Sequence, residues 1–433
     1  MESILEKAKK VAEEAEVFMV SSDGTSVQFD ANRLKHVQSR QSTNVALRII
    51  KDGKIGYATA TGLEDGQNLV DMAVETARFG MKAEFEFSSL TSFPQVEIFD
   101  AAIESVLPEA MTKLGEEMIA ALRDHTPELL CEAAVSRGIT SASIINSRGG
   151  RADYKQSHFG LGVEAQLTRG TDMLFVGESQ SSCHPLTETA ATIEIVLRQL
   201  ELAKNQATAP TKSIPVVFTS HGVASALIAP LTAAFNGKIV LEGASPLSGK
   251  LDQSVFDSKL QLRDDPTMAY RPASRPCDDE GIPSQSTPLI EQGLVSNFIY
   301  DLQTAALAKA KSTGNGQRSR GGQPAPSSSA FIISPGDTTM DDMVSDIKEG
   351  LVVEQLMGAT QGNVLGGEFS GNVLLGYKIE NGKIVGRVKD TMVSGNVYQL
   401  LKEITAIGSE ARWVGGFLST PPLSLANVSV ASK

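Results

Sequence analysis

The chain has 433 residues, 41% apolar and 21% charged, with 39 Lys plus Arg against 51 Asp plus Glu. That length exceeds one ordinary core, so two domains are expected, and the composition is globular rather than disordered. A net charge of -12 argues against general nucleic-acid binding and against anionic membrane surfaces.

From the N-terminus, Ile4, Leu5, Ala8, Val11, Ala12 and Ala15 form one helical stripe. This charged start has no apolar h-region, so no secretory signal is expected. Strand-like stretches follow at 17–21, 25–30, 34–41, 45–50 and 55–61. Asp52-Gly53 joins the last two and predicts a two-residue hairpin, whose central positions need positive φ. A second helix carries Leu69, Val70, Ala73, Val74 and Ala77, and a third is expected to open at Asp100. Strand-rich sequence runs from Leu129 to about Ser182, and a helix over 187–202 closes this half.

The polar stretch 203–212 reads as a linker. A strand over 214–219 comes next, and then an apolar helix from near Val223 to Phe235. That run is interrupted by Pro230 and is too short to span a bilayer. The remainder is mostly strands and turns, with Asn381-Gly382 as another hairpin signal. The fold class is therefore α+β. Residues 1–205 are expected to form a curved antiparallel sheet with helices, and residues 206–433 a mostly-β sandwich or barrel-like domain. The segment 311–329 (KSTGNGQRSRGGQPAPSSS) has no apolar periodicity and reads as a surface loop, mobile or functional.

Few motifs carry chemistry. A helical zinc-protease site needs two histidines one turn apart with a Glu beside them. None of His36, His125, His158, His184 and His221 is followed by Glu, and there is no Cys-x-x-Cys. A site of distant ligands such as Cys183, His184 and a carboxylate stays open, as does a serine activated by His221. The three cysteines, 131, 183 and 277, are odd in number and widely spaced, which fits reduced thiols in a cytoplasm. Cys277 stands beside Asp278, Asp279 and Glu280, a setting that makes a poor nucleophile. Residues 243–251 (GASPLSGKL) have one residue too many for a phosphate loop. The backbone of Ser312-Thr313-Gly314-Asn315 could nest an anion, but more simply forms a turn. The acids at 264–265 and 278–280 adjoin Pro266 and Gly281-Ile282-Pro283, so solvated turns are the expectation. Lys311, Arg318 and Arg320 form a basic spot without interleaved aromatics, a weak nucleic-acid signal.

Taken in order, these strings resemble the TldD/PmbA family. They are Asp264-Asp265-Pro266, Asp278-Asp279-Glu280-Gly281-Ile282-Pro283, Ser312-Thr313-Gly314-Asn315, Pro335-Gly336, Gly366-Gly367-Glu368-Phe369-Ser370, Ile379-Glu380-Asn381-Gly382 and Ser394-Gly395-Asn396. Leu47-Arg48-Ile49 followed by Asp52-Gly53-Lys54-Ile55-Gly56 adds to the series, and the likeness covers nearly the whole chain. The resemblance implies a two-subunit cytoplasmic protease acting on unfolded peptides or peptide precursors. Members of this family are also labelled modulators of DNA gyrase. The TldD-type subunit carries His-Glu-x-x-x-His on the helix after the first strand of its C-terminal domain. The PmbA-type, or TldE, subunit lacks it.

Here the corresponding helix, about 223–235, offers Ala, Leu, Ile, Pro and Thr instead. The resemblance thus points to the PmbA side, with zinc expected only in a TldD-type partner and no catalytic or metal residue carried over to this chain. The candidate peptide- or partner-binding residues are His221, Asp278, Asp279, Glu280, Ser312, Thr313, Gly314 and Asn315. Partners are a zinc-bearing subunit and an unfolded peptide, with self-pairing into a homodimer left open. An autonomous hydrolase built on His221 and distant acids, and a non-enzymatic regulator, are the alternatives.

Overall fold

The computed structural model describes residues 1–62, 66–318 and 322–432. Helix α1 (Glu2–Ala8) leads into β1 (Glu14–Asp30), β2 (Arg33–Lys51) and β3 (Lys54–Thr61). The stretches expected as four short strands before residue 50 are thus two long ones, paired in antiparallel register from Glu14↔Ile50 to Asp30↔Arg33. The Asp52-Gly53 turn forms as expected, with φ of 51° and 68°. Then come α2 (Gly66–Ala77), α3 (Pro108–His125), β4 (Leu130–Asn146), β5 (Arg151–Arg169), β6 (Asp172–Ser182) and α4 (Ala190–Leu202). Asp100 caps only a short 3-10 turn at Ala101–Ser105. The third helix opens later, at Pro108, whose missing N–H suits a first helical position.

β1–β6 make one six-stranded sheet in the order β3-β2-β1-β4-β5-β6, curled into an antiparallel half-barrel. Alternation sets its two faces. Ala15, Val17, Leu47 and Ile49 pack on α1 and α2, while Phe18 and Ala46 point the other way and meet Cys277.

The expected linker contains β7 (Gln206–Ala207), which pairs with Arg387–Val388. β8 (Lys212–Phe218) follows. It lies between strands Glu349–Met357 and Leu423–Ser432. Strands Thr391–Asn396 and Glu368–Glu380 continue the sheet, and pairing of 368–380 with 349–357 closes a five-stranded barrel. Closure removes the sheet's free edges at this point. The Asn381-Gly382 hairpin forms with both residues at positive φ. The barrel interior is filled by Val216, Phe218, Leu351, Val353, Val393 and Leu425. Its outer face, through Val217, Val352, Leu375 and Tyr377, shares a core with α3, α4 and the far end of the curled sheet.

The apolar helix expected over 223–235 is two pieces, α5 (Ser220–Ala226) and α6 (Ile228–Ala234), broken at Leu227. Pro230 cannot donate the amide that a continuous helix would need there. Among the described residues no helix is long and apolar enough to cross a membrane.

Candidate functional site

The structure sorts the candidate residues into two places. Asp278, Asp279, Glu280 and Ser312–Asn315 come together in a buried seam beneath the curled sheet. His221 stands elsewhere, in a cleft beside α5.

The seam starts from a cross-strand pair. Glu16 on β1 lies directly opposite Arg48 on β2, and both side chains are almost wholly buried. Arg48 reaches Glu16 at 3.0 Å and Glu280 at 2.5 Å, with its guanidinium 4.8 and 4.9 Å from the Phe85 and Phe87 rings. Arg318 also pairs with Glu16 and lies 5.3 Å from the Phe18 ring. Burial opposes the charge on Arg48, yet Glu16 and Glu280 outweigh it and hold the guanidinium more firmly protonated than usual. Burial acts alike on Arg318, where the nearby Arg48 adds to it, and the pKa there is lowered.

The acids expected to be solvated turns are not. Asp264, Asp278 and Glu280 are buried, because backbone amides and arginines replace their water. Asp278 accepts from the amides of Glu280, Ile282 and Gly316 at 2.8–2.9 Å, and Glu280 accepts from the Leu302 amide at 2.7 Å. Burial and the adjacent Glu280 push the Asp278 carboxyl upward, while Arg275 and the Ile282 and Gly316 amides pull back. Asp264 accepts from Asn315 Nδ2 at 2.6 Å and from the Ser329 amide at 2.7 Å, and burial pushes it up to about 6. Asp279 accepts from the Arg318 amide at 2.7 Å.

Residues 311–329 were expected to be a surface loop, and the described part is instead tied into this seam. Gly316–Arg318 pairs with Pro324–Pro326, and Thr313 exchanges hydrogen bonds with the Tyr300 backbone. Ser312 donates weakly to the Tyr300 carbonyl at 3.3 Å. Gly314 has φ +73°, and a Cβ there would sit 2.5 Å from the Pro283 carbonyl oxygen. Polar partners substitute for the missing apolar periodicity. Arg320, grouped with Lys311 and Arg318 as a basic spot, lies outside the described residues. Cys277, buried beside Asp278, has its thiol pushed up to about 12, chiefly by burial.

The cleft is built differently. Thr219 caps α5, its hydroxyl oxygen accepting from the Gly222 amide at 3.3 Å. A Cβ on Gly222 would fall 2.2 Å from the Val353 carbonyl oxygen, so glycine lets α5 press against strand 349–357. That strand carries an extra residue between Val353 and Gln355 in its pairing with 368–380. Leu351 and Val353 point into the barrel core, so alternation leaves Glu354 on the outer face with Val352, and the irregularity after it returns Leu356 to the core. Glu354 accepts from the Thr219 hydroxyl at 3.0 Å. Burial pushes its carboxyl up, with Thr219, His221 and Arg412 opposing.

His221 Nε2 lies 3.1 and 3.2 Å from the two oxygens of Glu178 on β6. The Glu178 hydrogen bond raises the imidazole pKa, with burial acting against it. Burial works against the Glu178 charge too, but His221 and the Ser179 amide hold that carboxyl below its usual value. No hydroxyl is positioned for His221 to activate among its described hydrogen bonds. Ser220 donates to the Thr420 carbonyl oxygen at 2.7 Å, and Thr219 is turned to Glu354. Tyr377 completes the wall: it is fully buried, and its hydroxyl has no partner. The cleft encloses about 460 Å³ between α4, α5 and strand 412–414.

A helical zinc site does not fit here. His221 is the only imidazole on α5 and α6, and Glu178 is already its ion-pair partner. Among the described residues no three His, Cys, Asp or Glu side chains gather so as to hold a metal ion. His184, considered with Cys183, instead pairs with Asp100 at 2.7 Å and stacks near Tyr270. Sequence reasoning missed Glu178, Glu354, Tyr377 and Arg412 in the cleft, and Glu16 in the seam. A signal existed for one of them: Glu354 interrupts the apolar run of Leu351-Val352-Val353 and Leu356-Met357.

Comparison with known proteins agrees with this architecture. Residues 211–432 match the PmbA/TldA metallopeptidase C-terminal domain, and residues 15–77 match domain 1 of the same proteins. An uncharacterised protein of Methanocaldococcus jannaschii is 27% identical over 93% of this chain and 93% of its own. A metalloprotease PmbA homologue of Haemophilus influenzae is 23% identical over 94% of this chain and 90% of its own. The crystal structure of TldE from Thermococcus kodakarensis superposes over 100% of both chains with a TM-score of 0.91 at 22% identity, a likeness of fold.

Proposed function

The chain belongs to the PmbA/TldD metallopeptidase family, and from that premise we propose that it is a PmbA/TldE-type subunit without a zinc site of its own. It acts in the cytoplasm with a TldD-type, zinc-bearing partner on unfolded peptides or peptide precursors. The observation that carries this reading is the helix α5 itself. Its sequence Ser220-His221-Gly222-Val223-Ala224-Ser225-Ala226 offers one imidazole, already committed to Glu178, and no carboxylate. Lowering the pKa of a water near neutrality takes a metal held by several such groups, and α5 supplies one. The TldE and PmbA names of the similar proteins support the same side of the family.

The cleft is nonetheless open and walled by charged groups, which suits peptide contact better than an inert remnant. Hydrolysis by this chain alone is disfavoured because Ser220 and Thr219 both spend their protons elsewhere. The test is to assay cleavage of an unfolded polypeptide by the purified chain, by a TldD-type partner, and by the two together. Cleavage is expected only with the partner present. Chelator-sensitive cleavage by this chain alone would overturn the proposal.

A further inference from the structure

The cleft beside α5 carries more negative charge than its own cations neutralise. Glu178, Glu194, Asp341, Glu354 and Glu410 line it, against Arg198, Arg412 and His221. His221 is used by Glu178. Among the described residues Glu194, Asp341, Glu354 and Glu410 have no ion-pair partner within 4.0 Å. Arg198, Arg412, Glu194, Asp341 and Glu410 all lie at the exposed rim, with Arg412 near enough to act on Glu354. Deeper in, the carboxylate of Glu354 has a single hydroxyl donor, Thr219 at the start of α5.

Two features separate this arrangement from a merely acidic surface. Tyr377 is wholly buried at the cleft wall, and among the described residues its hydroxyl has no hydrogen-bond partner. Burying such a hydroxyl unpaired costs on the order of 1–3 kcal/mol in general, a cost that a bound polar group would remove. The outward placement of Glu354 is the second feature: it follows Val352 on the outer face of its strand and takes its hydrogen bond from Thr219. The enclosed volume of about 460 Å³ lies in the range of small-ligand pockets.

We propose that this cleft binds a cationic group of a peptide, a protonated amine or a guanidinium, against the Glu354 carboxylate with the Tyr377 hydroxyl accepting from it. That the cation arrives on a peptide rests on the proposed function; the cation site itself does not. The cation comes from a basic side chain or from a free amino terminus, and both present the same N–H donors.

The experiment uses the full-length chain without partner and isothermal titration with three short amidated peptides. One is N-acetylated with a central Lys, one has a free amino terminus and no basic side chain, and one is N-acetylated with a central Met. At least one cationic peptide is expected to bind ten-fold or more tightly than the Met peptide, and which one does so identifies the source. Glu354→Gln should weaken that binding by ten-fold or more, and Tyr377→Phe by a smaller factor. A thermal melt of each variant checks folding. If Glu354→Gln does not fold, Glu354→Asp decides, since its shortened carboxylate should weaken the cationic peptide ten-fold or more and leave the Met peptide unchanged. Equal affinity for all three peptides, or full binding by folded Glu354→Gln, overturns the proposal. Partner-dependent cleavage is assayed in parallel. Cleavage without cation binding discards this site and leaves the subunit reading intact, and the reverse result separates them the other way.

Discussion

The seam under Arg48 and the cleft beside His221 are both crowded with carboxylates, yet they handle charge in opposite ways. In the seam each acid has a charged or amide partner: Glu16 and Glu280 have Arg48, Asp278 three amides, Asp264 Asn315 and Ser329, with only single atoms such as Glu16 Oε2 and Arg48 Nε left without a hydrogen bond. Apolar rings seal the cations from water. In the cleft, Glu354 has one hydroxyl, Tyr377 has nothing, and the surrounding acids outnumber the cations. Satisfied charge joins parts of the chain that are far apart in sequence. Unsatisfied charge waits for something. Residues that resemble a site by composition, such as Asp278-Asp279-Glu280, turn out to be joinery, whereas the cleft is built from isolated residues.

The largest effect should come from Arg48→Met. It leaves Glu280 without its cation and Glu16 with Arg318 alone, and breaking a buried pair costs about 3–5 kcal/mol, read as a shift of the urea midpoint. A loss no larger than that of the cleft variants would erase the distinction between the regions. Glu280→Gln keeps an acceptor for the Leu302 amide but discards the charge facing Arg48, so a loss of about 1–3 kcal/mol is expected.

The next effect is pH-dependent and belongs to the cleft. The raised pKa of His221 means its contribution is complete below the ordinary 6.5 and disappears as pH rises through the folded value. The lowered pKa of Glu178 works the other way, its contribution present above the ordinary 4.5 and lost as pH falls through the folded value. The pair is therefore strongest between those limits. Glu178→Gln should bring the His221 titration, followed by NMR, below that of the wild type. It should also remove a few tenths to ~1 kcal/mol of stability near pH 6. An unchanged His221 titration would show that the pair does not persist in solution.

Smallest of all, Glu354→Gln should leave stability within about 0.5 kcal/mol or raise it slightly, because burial and Glu178 already disfavour the Glu354 charge. Set beside Glu280→Gln, it makes the same chemical change in both regions, with a clear loss expected in the seam and none in the cleft.

Local features were legible in the sequence and long-range ones were not. Asp52-Gly53 and Asn381-Gly382 announce their hairpins because positive φ leaves a compositional mark. The α5–α6 break was half visible in Pro230. The closed barrel was not, since β8 meets strand 423–432 about two hundred residues later and nothing in either strand names the other. The acids at 264 and 278–280 read as solvated because Pro and Gly adjoin them, while the partner that buries Glu280, Arg48, lies 232 positions away. His221 was visible as a lone imidazole, but Glu178 reaches it only through the docking of β6.

The position of strand Leu423–Ser432 between β8 and Thr391–Asn396 has a consequence for biosynthesis. β8 emerges early from the ribosome but cannot gain that neighbour until roughly 220 further residues are made. At ~5–20 residues per second that is on the order of ten to forty-five seconds. Throughout that interval β8 carries an unpaired strand edge, so protection of that edge is needed during translation rather than after it.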